Sequence, residues 1–202
     1  MIKYRSIWGA IGFATASVLL GTTGASGQEE KSFPEYKQAC VEGEASACTQ
    51  AGIKFAEVFN YQQAAPLYKQ GCDGGDGLGC AHLGLQNLMG LGGERDLGKA
   101  FALNTQACDL KNVMGCFSLG YMYSSGVGVE KDIQTAVSHY AWACDKGLPR
   151  SCLSLARMYK SGNGVKQDKS KATELKYKAC LASLPSPILT AELCKDMLAW
   201  EK

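Results

Sequence analysis

Ten cysteines recur along this chain with a fixed rhythm, at positions 40, 48, 72, 80, 108, 116, 144, 152, 180 and 194. The first eight form four pairs whose members are eight residues apart. Successive pairs start 32, 36 and 36 residues after one another, and a further step of 36 reaches Cys180. A period of this size marks stacked structural repeats. Aligned on their first cysteines, residues 72–108, 108–144 and 144–180 are one unit written three times, and 40–72 is the same unit with four residues missing before Asn60.

Each recurring position has a physical job. Leu83, Leu119 and Leu155 precede the small residues Gly84, Gly120 and Ala156, and Tyr123 and Tyr159 follow on the same helix face, with the small residue allowing a second helix to approach. The pairs Gly90/Gly92, Gly126/Gly128 and Gly162/Gly164 then end the helix and turn the chain. Asp96, Asp132 and Asp168, with Asn60 in the short unit, stand where a second helix needs its N-cap. Ala64, Ala100, Ala136 and Ala172 fall four residues later on the contact face, and Tyr68 and Tyr140 follow after four more. The unit is a helical hairpin, and the expected fold is all-α, a solenoid of four to five such hairpins.

The first 27 residues stand apart from this pattern. Lys3 and Arg5 form a short basic start, Ile7 to Leu20 is mostly apolar, and Ala25 and Gly27 supply small residues at the −3 and −1 positions of a cut before Gln28. This is the layout of a cleaved secretory signal peptide at 1–27, leaving 28–202 as the repeat domain with a C-terminal cap at 180–202. Both basic residues of that segment are discarded with it, so the formal charge of +2 goes too. A neutral mature chain gives no reason to expect nucleic acid or an anionic membrane as partner. Nothing beyond the first segment approaches membrane-span length. An even set of cysteines in an exported chain is expected to oxidise, so the protein belongs outside the cytoplasm, secreted or periplasmic.

Geometry selects the pairing. Residues eight apart in one helix are separated by about 12 Å, too far for a disulfide, so a bridge needs the chain to reverse between them. The segments VEGEASA, DGGDGLG, DLKNVMG and DKGLPRS contain the glycine and proline that a reversal uses. The expected bridges are Cys40–Cys48, Cys72–Cys80, Cys108–Cys116 and Cys144–Cys152, each joining the end of one helix to the start of the next. Cys180–Cys194 closes the last hairpin.

The LG-x-x-Y, G-x-G-V-x-x-D and A-x-x-x-Y elements resemble Sel-one-like repeats, relatives of tetratricopeptide repeats. With C-x7-C at every junction, residues 31–180 are similar to the Helicobacter cysteine-rich protein family, often called the Hcp β-lactamase family. That resemblance implies a right-handed, disulfide-stapled α/α solenoid, secreted or periplasmic. It also implies slow penicillin binding or hydrolysis for some members.

The residues behind such chemistry are not recognisable here. No Ser-x-x-Lys occurs, the nearest sequence being Ser154-Leu-Ala-Arg157, and the Ser-Asp-Asn and Lys-Thr-Gly companions are absent. A metal centre is not expected, since the chain has only His82 and His139, and oxidised thiols do not ligate. No cofactor is expected either. Gly126-Val-Gly128 and Gly162-Asn-Gly164 precede helices as phosphate loops do, but they recur at the repeat period and read as turns. His82, His139 and Trp142 read as packing or surface residues.

What remains is a surface. In a tetratricopeptide-like stack the first helix of each hairpin lines a concave side. Leu85, Phe117, Tyr121, Arg150, Arg157 and Lys160 fall near its small-residue position, an aromatic patch beside a basic one. The expected function is an interaction module, acting as a monomer, for a protein, a peptide or a peptidoglycan fragment. The alternative is the β-lactam hydrolase implied by the resemblance.

Overall fold

The computed structural model describes residues 31–183 and Cys194. The targeting segment and its cut lie outside the described residues, as does most of the C-terminal cap. Among the described residues there are nine helices and no strand: α1 (Phe33–Val41), α2 (Ala45–Glu57), α3 (Tyr61–Asp73), α4 (Gly77–Met89), α5 (Leu97–Asp109), α6 (Val113–Ser125), α7 (Ile133–Asp145), α8 (Pro149–Ser161) and α9 (Lys169–Ser183). The most extensive packing is within the pairs α2–α3, α4–α5, α6–α7 and α8–α9, which are the hairpins.

Capping residues set where the helices begin. The side-chain oxygens of Asn60, Asp96, Asp132 and Asp168 accept hydrogen bonds from the backbone N–H groups of Gln63 (3.3 Å), Lys99 (2.9 Å), Thr135 (3.0 Å) and Lys171 (2.9 Å). Two first helices are capped as well, by Asp76 accepting from Leu78 N–H and Asn112 from Gly115 N–H, both at 3.0 Å. Helices α4, α6 and α8 end on Gly90, Gly126 and Gly162, whose φ angles of 72°, 69° and 73° lie in the left-handed region that a glycine enters without strain.

These caps carry a pH dependence. The Thr135 hydroxyl and then its amide hold the Asp132 carboxyl below its ordinary pKa, and the Lys99 amide and ammonium do the same for Asp96. A depressed carboxyl pKa contributes stability that is fully present above the unfolded value and is lost as pH falls through the folded one. Thermal melts should therefore fall progressively between about pH 5 and pH 2. The double substitution Asp96→Asn/Asp132→Asn keeps the cap acceptors and should flatten that slope; an unchanged slope would count against the caps as its source.

In the first three hairpins, a glycine on the first helix forms the socket for a side chain on the second, and Ala156 takes that position in the fourth. A Cβ added at Gly52 would meet the Tyr68 ring at 2.7 Å, at Gly84 the Asn104 amide at 2.9 Å, and at Gly120 the Tyr140 ring at 2.8 Å. Ala64, Ala100 and Ala136 on the second helices are fully buried, and Ala172 nearly so. The unit carrying α4 and α5 departs from its neighbours. Asn104 fills the socket that Tyr68 and Tyr140 fill elsewhere, donating from Nδ2 to Ala100 O at 2.8 Å and leaving Oδ1 without a partner. Gln86 stands where the two following units have Met122 and Met158, buried with its amide unpartnered.

The disulfides join hairpins to one another. Cys40–Cys48 ties α1 to α2, Cys72–Cys80 ties α3 to α4, Cys108–Cys116 ties α5 to α6, and Cys144–Cys152 ties α7 to α8, with Cα–Cα distances of 4.5, 4.5, 4.6 and 4.6 Å. Cys180, on α9, is bridged to Cys194 with 5.8 Å between Cα atoms. Among the described residues no cysteine is free.

Candidate interaction surface

First helices touch across successive hairpins, α2 with α4 and α4 with α6, while the second helices make no comparable contact. The first helices α2, α4 and α6 therefore approach one another on one side of the stack, while α8 makes no contact of that extent with α6. Leu85, Tyr121 and Arg157 occupy one register on α4, α6 and α8, and all three are exposed, Leu85 at 38% and Tyr121 at 43%. The row sets an apolar, an aromatic and a cationic side chain at one position of three successive first helices.

Its floor is Tyr140, reaching up from α7. The ring is buried against the core of the last two hairpins, and its hydroxyl lies 3.2 Å from Ser124 Oγ. Burial raises the phenol pKa most strongly, hydrogen bonds from Ser124 and Ser154 oppose it, Tyr121 adds to the rise and Arg157 lowers it again. The hydroxyl is thus neutral at physiological pH and lies within the electrostatic reach of both Tyr121 and Arg157. Tyr121 and Arg157 offer a flat apolar ring and a guanidinium that takes carboxylates in a forked geometry, with the buried Tyr140 hydroxyl behind them.

Arg150, Arg157 and Lys160 are all exposed, at spacings that put them on one face of α8. Leu153, 39% exposed, lies between the two arginines and makes that face a mixed apolar and basic strip. Phe117 is placed differently. It stands at the same register on α6 as Leu153 on α8, but it is partly buried, packs on the core and meets Tyr140 with 5.6 Å between ring centroids. It supports the floor from below. Leu153, Ser124 and Tyr140 were missed by sequence reasoning as surface or floor residues, because Tyr140 carries a core pattern and Leu153 follows a cysteine in a run that reads as packing.

The remaining candidates are built into the fold. His82 stacks on Tyr68 with 4.9 Å between ring centroids, and His139 on Tyr123 with 5.8 Å. Burial lowers the pKa of both imidazoles. Trp142 is partly buried, with Lys146 Nζ 5.7 Å above its ring. Gly128 and Gly164 lie against the preceding hairpin, where an added Cβ would meet Leu97 Cβ at 2.9 Å and overlap Ile133 Cγ2, so these loops are packing joints. One group among the described residues has metal-ligand character: the sulfurs of Cys108 and Cys116 and a ring nitrogen of His139 lie within 4.8 Å of one another. With the sulfurs bridged, the thiolates that a metal ion takes are absent.

Residues 78–112, 113–148 and 149–184 match the Sel1 repeat, each match spanning one hairpin. Among solved structures, the chain is similar to a Sel1 repeat protein from Oxalobacter formigenes, with a TM-score of 0.67 and 17% identity over 84% of this chain and 78% of that one. It is similar to a protective antigen of uropathogenic Escherichia coli displaying an SLR fold, with a TM-score of 0.65 and 25% identity over 84% of this chain and 41% of that one. A third is the Helicobacter pylori cysteine rich protein B, with a TM-score of 0.50 and 26% identity over 60% of this chain and 96% of that one. No curated protein matches the sequence.

Proposed function

The chain belongs to the Sel1 repeat family, and on that premise we propose that it is an exported interaction module that holds a segment of a partner protein along its first helices. The observation that carries this reading is the exposed row Leu85, Tyr121 and Arg157 over the neutral Tyr140 hydroxyl, continued by Arg150, Leu153 and Lys160 on α8. Its chemistry suits an extended peptide that presents an apolar side chain to Leu85 and Tyr121 and a carboxylate to Arg157. Export is supported by five bridges, which persist in oxidising compartments, and by the targeting pattern of residues 1–27. Among the described residues no helix is long and apolar enough to cross a membrane.

β-Lactam hydrolysis has no comparable support. Ser124 and Ser151 hydrogen-bond a tyrosine hydroxyl and backbone oxygens, and Ser154 bonds Tyr140, so these serines face no imidazole or amine that would activate them.

A displayed random-peptide library selected on the oxidised chain tests the binding reading. Selected peptides should carry an apolar residue followed by an acidic one, and they should protect amides of α6 and α8 from hydrogen exchange. Arg157→Glu should weaken them about 10- to 100-fold, and Tyr121→Ala about tenfold, with far-ultraviolet circular dichroism unchanged. Unaltered affinity in both variants would place the binding surface elsewhere. Retention of a muropeptide with no peptide selected would move the partner to the cell wall.

A further inference from the structure

The junction at Cys108–Cys116 differs from the two on either side of it. Five residues before the second-helix cysteine of each unit, the sequence has Leu67, Leu103, His139 and Leu175. In the structure Leu103 packs against Cys72 and Cys80, and Leu175 packs in one cluster with Cys144 and Cys152. His139 occupies this register for the bridge between them, with Nδ1 3.9 Å from Cys108 Sγ. Among the four bridges that tie successive helices it is also the most accessible one, and Cys180 of the terminal bridge is partly exposed as well. Cys40, Cys48, Cys72, Cys80, Cys144 and Cys152 are buried, whereas Cys108 is partly exposed although its partner Cys116 is buried. One junction of the four thus has a partly exposed cysteine, and a proton-transfer group where its neighbours on either side have a leucine.

We propose that Cys108–Cys116 is a thiol–disulfide exchange site for a small-molecule thiol of the glutathione class, with His139 as its acid–base group. The incoming thiol approaches Sγ of the partly exposed Cys108 and gives its proton to the nearby imidazole. Its sulfur forms a bond to Cys108 Sγ while the Cys108–Cys116 bond breaks, and the electron pair leaves with Cys116 Sγ. The imidazolium then returns the proton to Cys116, whose sulfur lies within 4.8 Å of the same ring. The products are a mixed disulfide on Cys108 and a free thiol at Cys116, with every proton and electron accounted for and no further oxidant required. Stacking on Tyr123 holds the imidazole in place, and its burial favours the neutral form that accepts a proton. Opening this bridge removes the covalent tie between α5 and α6, which stay packed on one another, and leaves the neighbouring junctions covalently closed.

The test is a site-resolved exchange rate on the full oxidised chain. Reduced glutathione is added in limiting amount, the reaction is quenched with acid and an alkylating agent, and each bridge is followed by peptide mass mapping. Cys108–Cys116 should open about tenfold faster than Cys72–Cys80 and Cys144–Cys152, and should appear first as a glutathione adduct on Cys108. His139→Leu, which installs the residue of the neighbouring units, should slow it toward their rate. Loosening of the fold by that substitution would accelerate opening, so a damaged variant does not imitate the expected result. A phosphine reductant, which has no thiol proton to remove, should open Cys108–Cys116 equally fast in the wild type and in His139→Leu. Equal rates for the three bridges, or a His139→Leu rate unchanged with glutathione, would overturn the proposal. An equal slowing with glutathione and phosphine would overturn the acid–base role of His139.

Discussion

Urea unfolding of Cys144→Ala/Cys152→Ala should show a loss of about 2–4 kcal/mol relative to the oxidised wild type. The bridge closes only a short loop, so on the chain-entropy account its contribution is at the lower end for a disulfide. Packing adds to it, because both sulfurs are buried in the cluster that contains Tyr140, Leu155, Met158 and Leu175. Two missing sulfurs there leave space that the rigid α7–α8 junction closes only in part. The equivalent double substitution at Cys108 and Cys116 should cost less, since Cys108 is already partly exposed and no leucine seals its bridge. Equal losses at the two junctions would show that loop closure alone sets the value. A loss below about 1 kcal/mol at Cys144–Cys152 would show that the reduced chain retains the turn in its unfolded state.

The second large effect is at Tyr140. Tyr140→Ala should cost about 3–5 kcal/mol, as deletion of a buried aromatic ring does. The ring fills the socket at Gly120, meets Phe117, and receives Ser151 Oγ on its backbone oxygen at 2.9 Å. Tyr140→Phe keeps all of these contacts and removes only the hydroxyl that Ser124 and Ser154 approach. That variant should keep most of the stability while losing affinity for any ligand that bonds the hydroxyl. A chemical melt of both variants, with binding measured on the phenylalanine form, separates floor from contact. A Tyr140→Ala loss below about 1 kcal/mol would mean that the socket collapses freely, contrary to the tight approach of α6 and α7.

The rhythm of the sequence carries the helical units, their caps and their turns because each depends on one residue type acting locally. Asp96, Asp132 and Asp168 are caps, and Gly90, Gly126 and Gly162 enter the left-handed region, for reasons that need no tertiary context. Asp76 and Asn112 are caps of the same kind, but they lie inside the segments between paired cysteines, where their role as helix starts is masked by the reversal. The inner surface is harder to read because it depends on which neighbour a side chain meets. Phe117 and Leu153 share one register, yet Phe117 turns down onto Tyr140 and Leu153 stays open. His139 is a similar case. A lone histidine reads as packing, and only the leucines at 67, 103 and 175 together with the sulfur beside it give it another meaning.

The placement of the bridges also governs how the molecule would bear a load. Cys72–Cys80, Cys108–Cys116 and Cys144–Cys152 lie between hairpins, so tension applied along the chain passes across those junctions through a covalent link. What remains extensible is the stretch inside each hairpin. The stretches from Cys80 to Cys108, Cys116 to Cys144 and Cys152 to Cys180 are equal in length. Each can pay out only about 90 Å before its closed junctions stop it. Pulled from its ends, the oxidised molecule would lengthen in three equal increments and a shorter one between Cys48 and Cys72, and recoil the same way, as a chain of springs joined by rigid links.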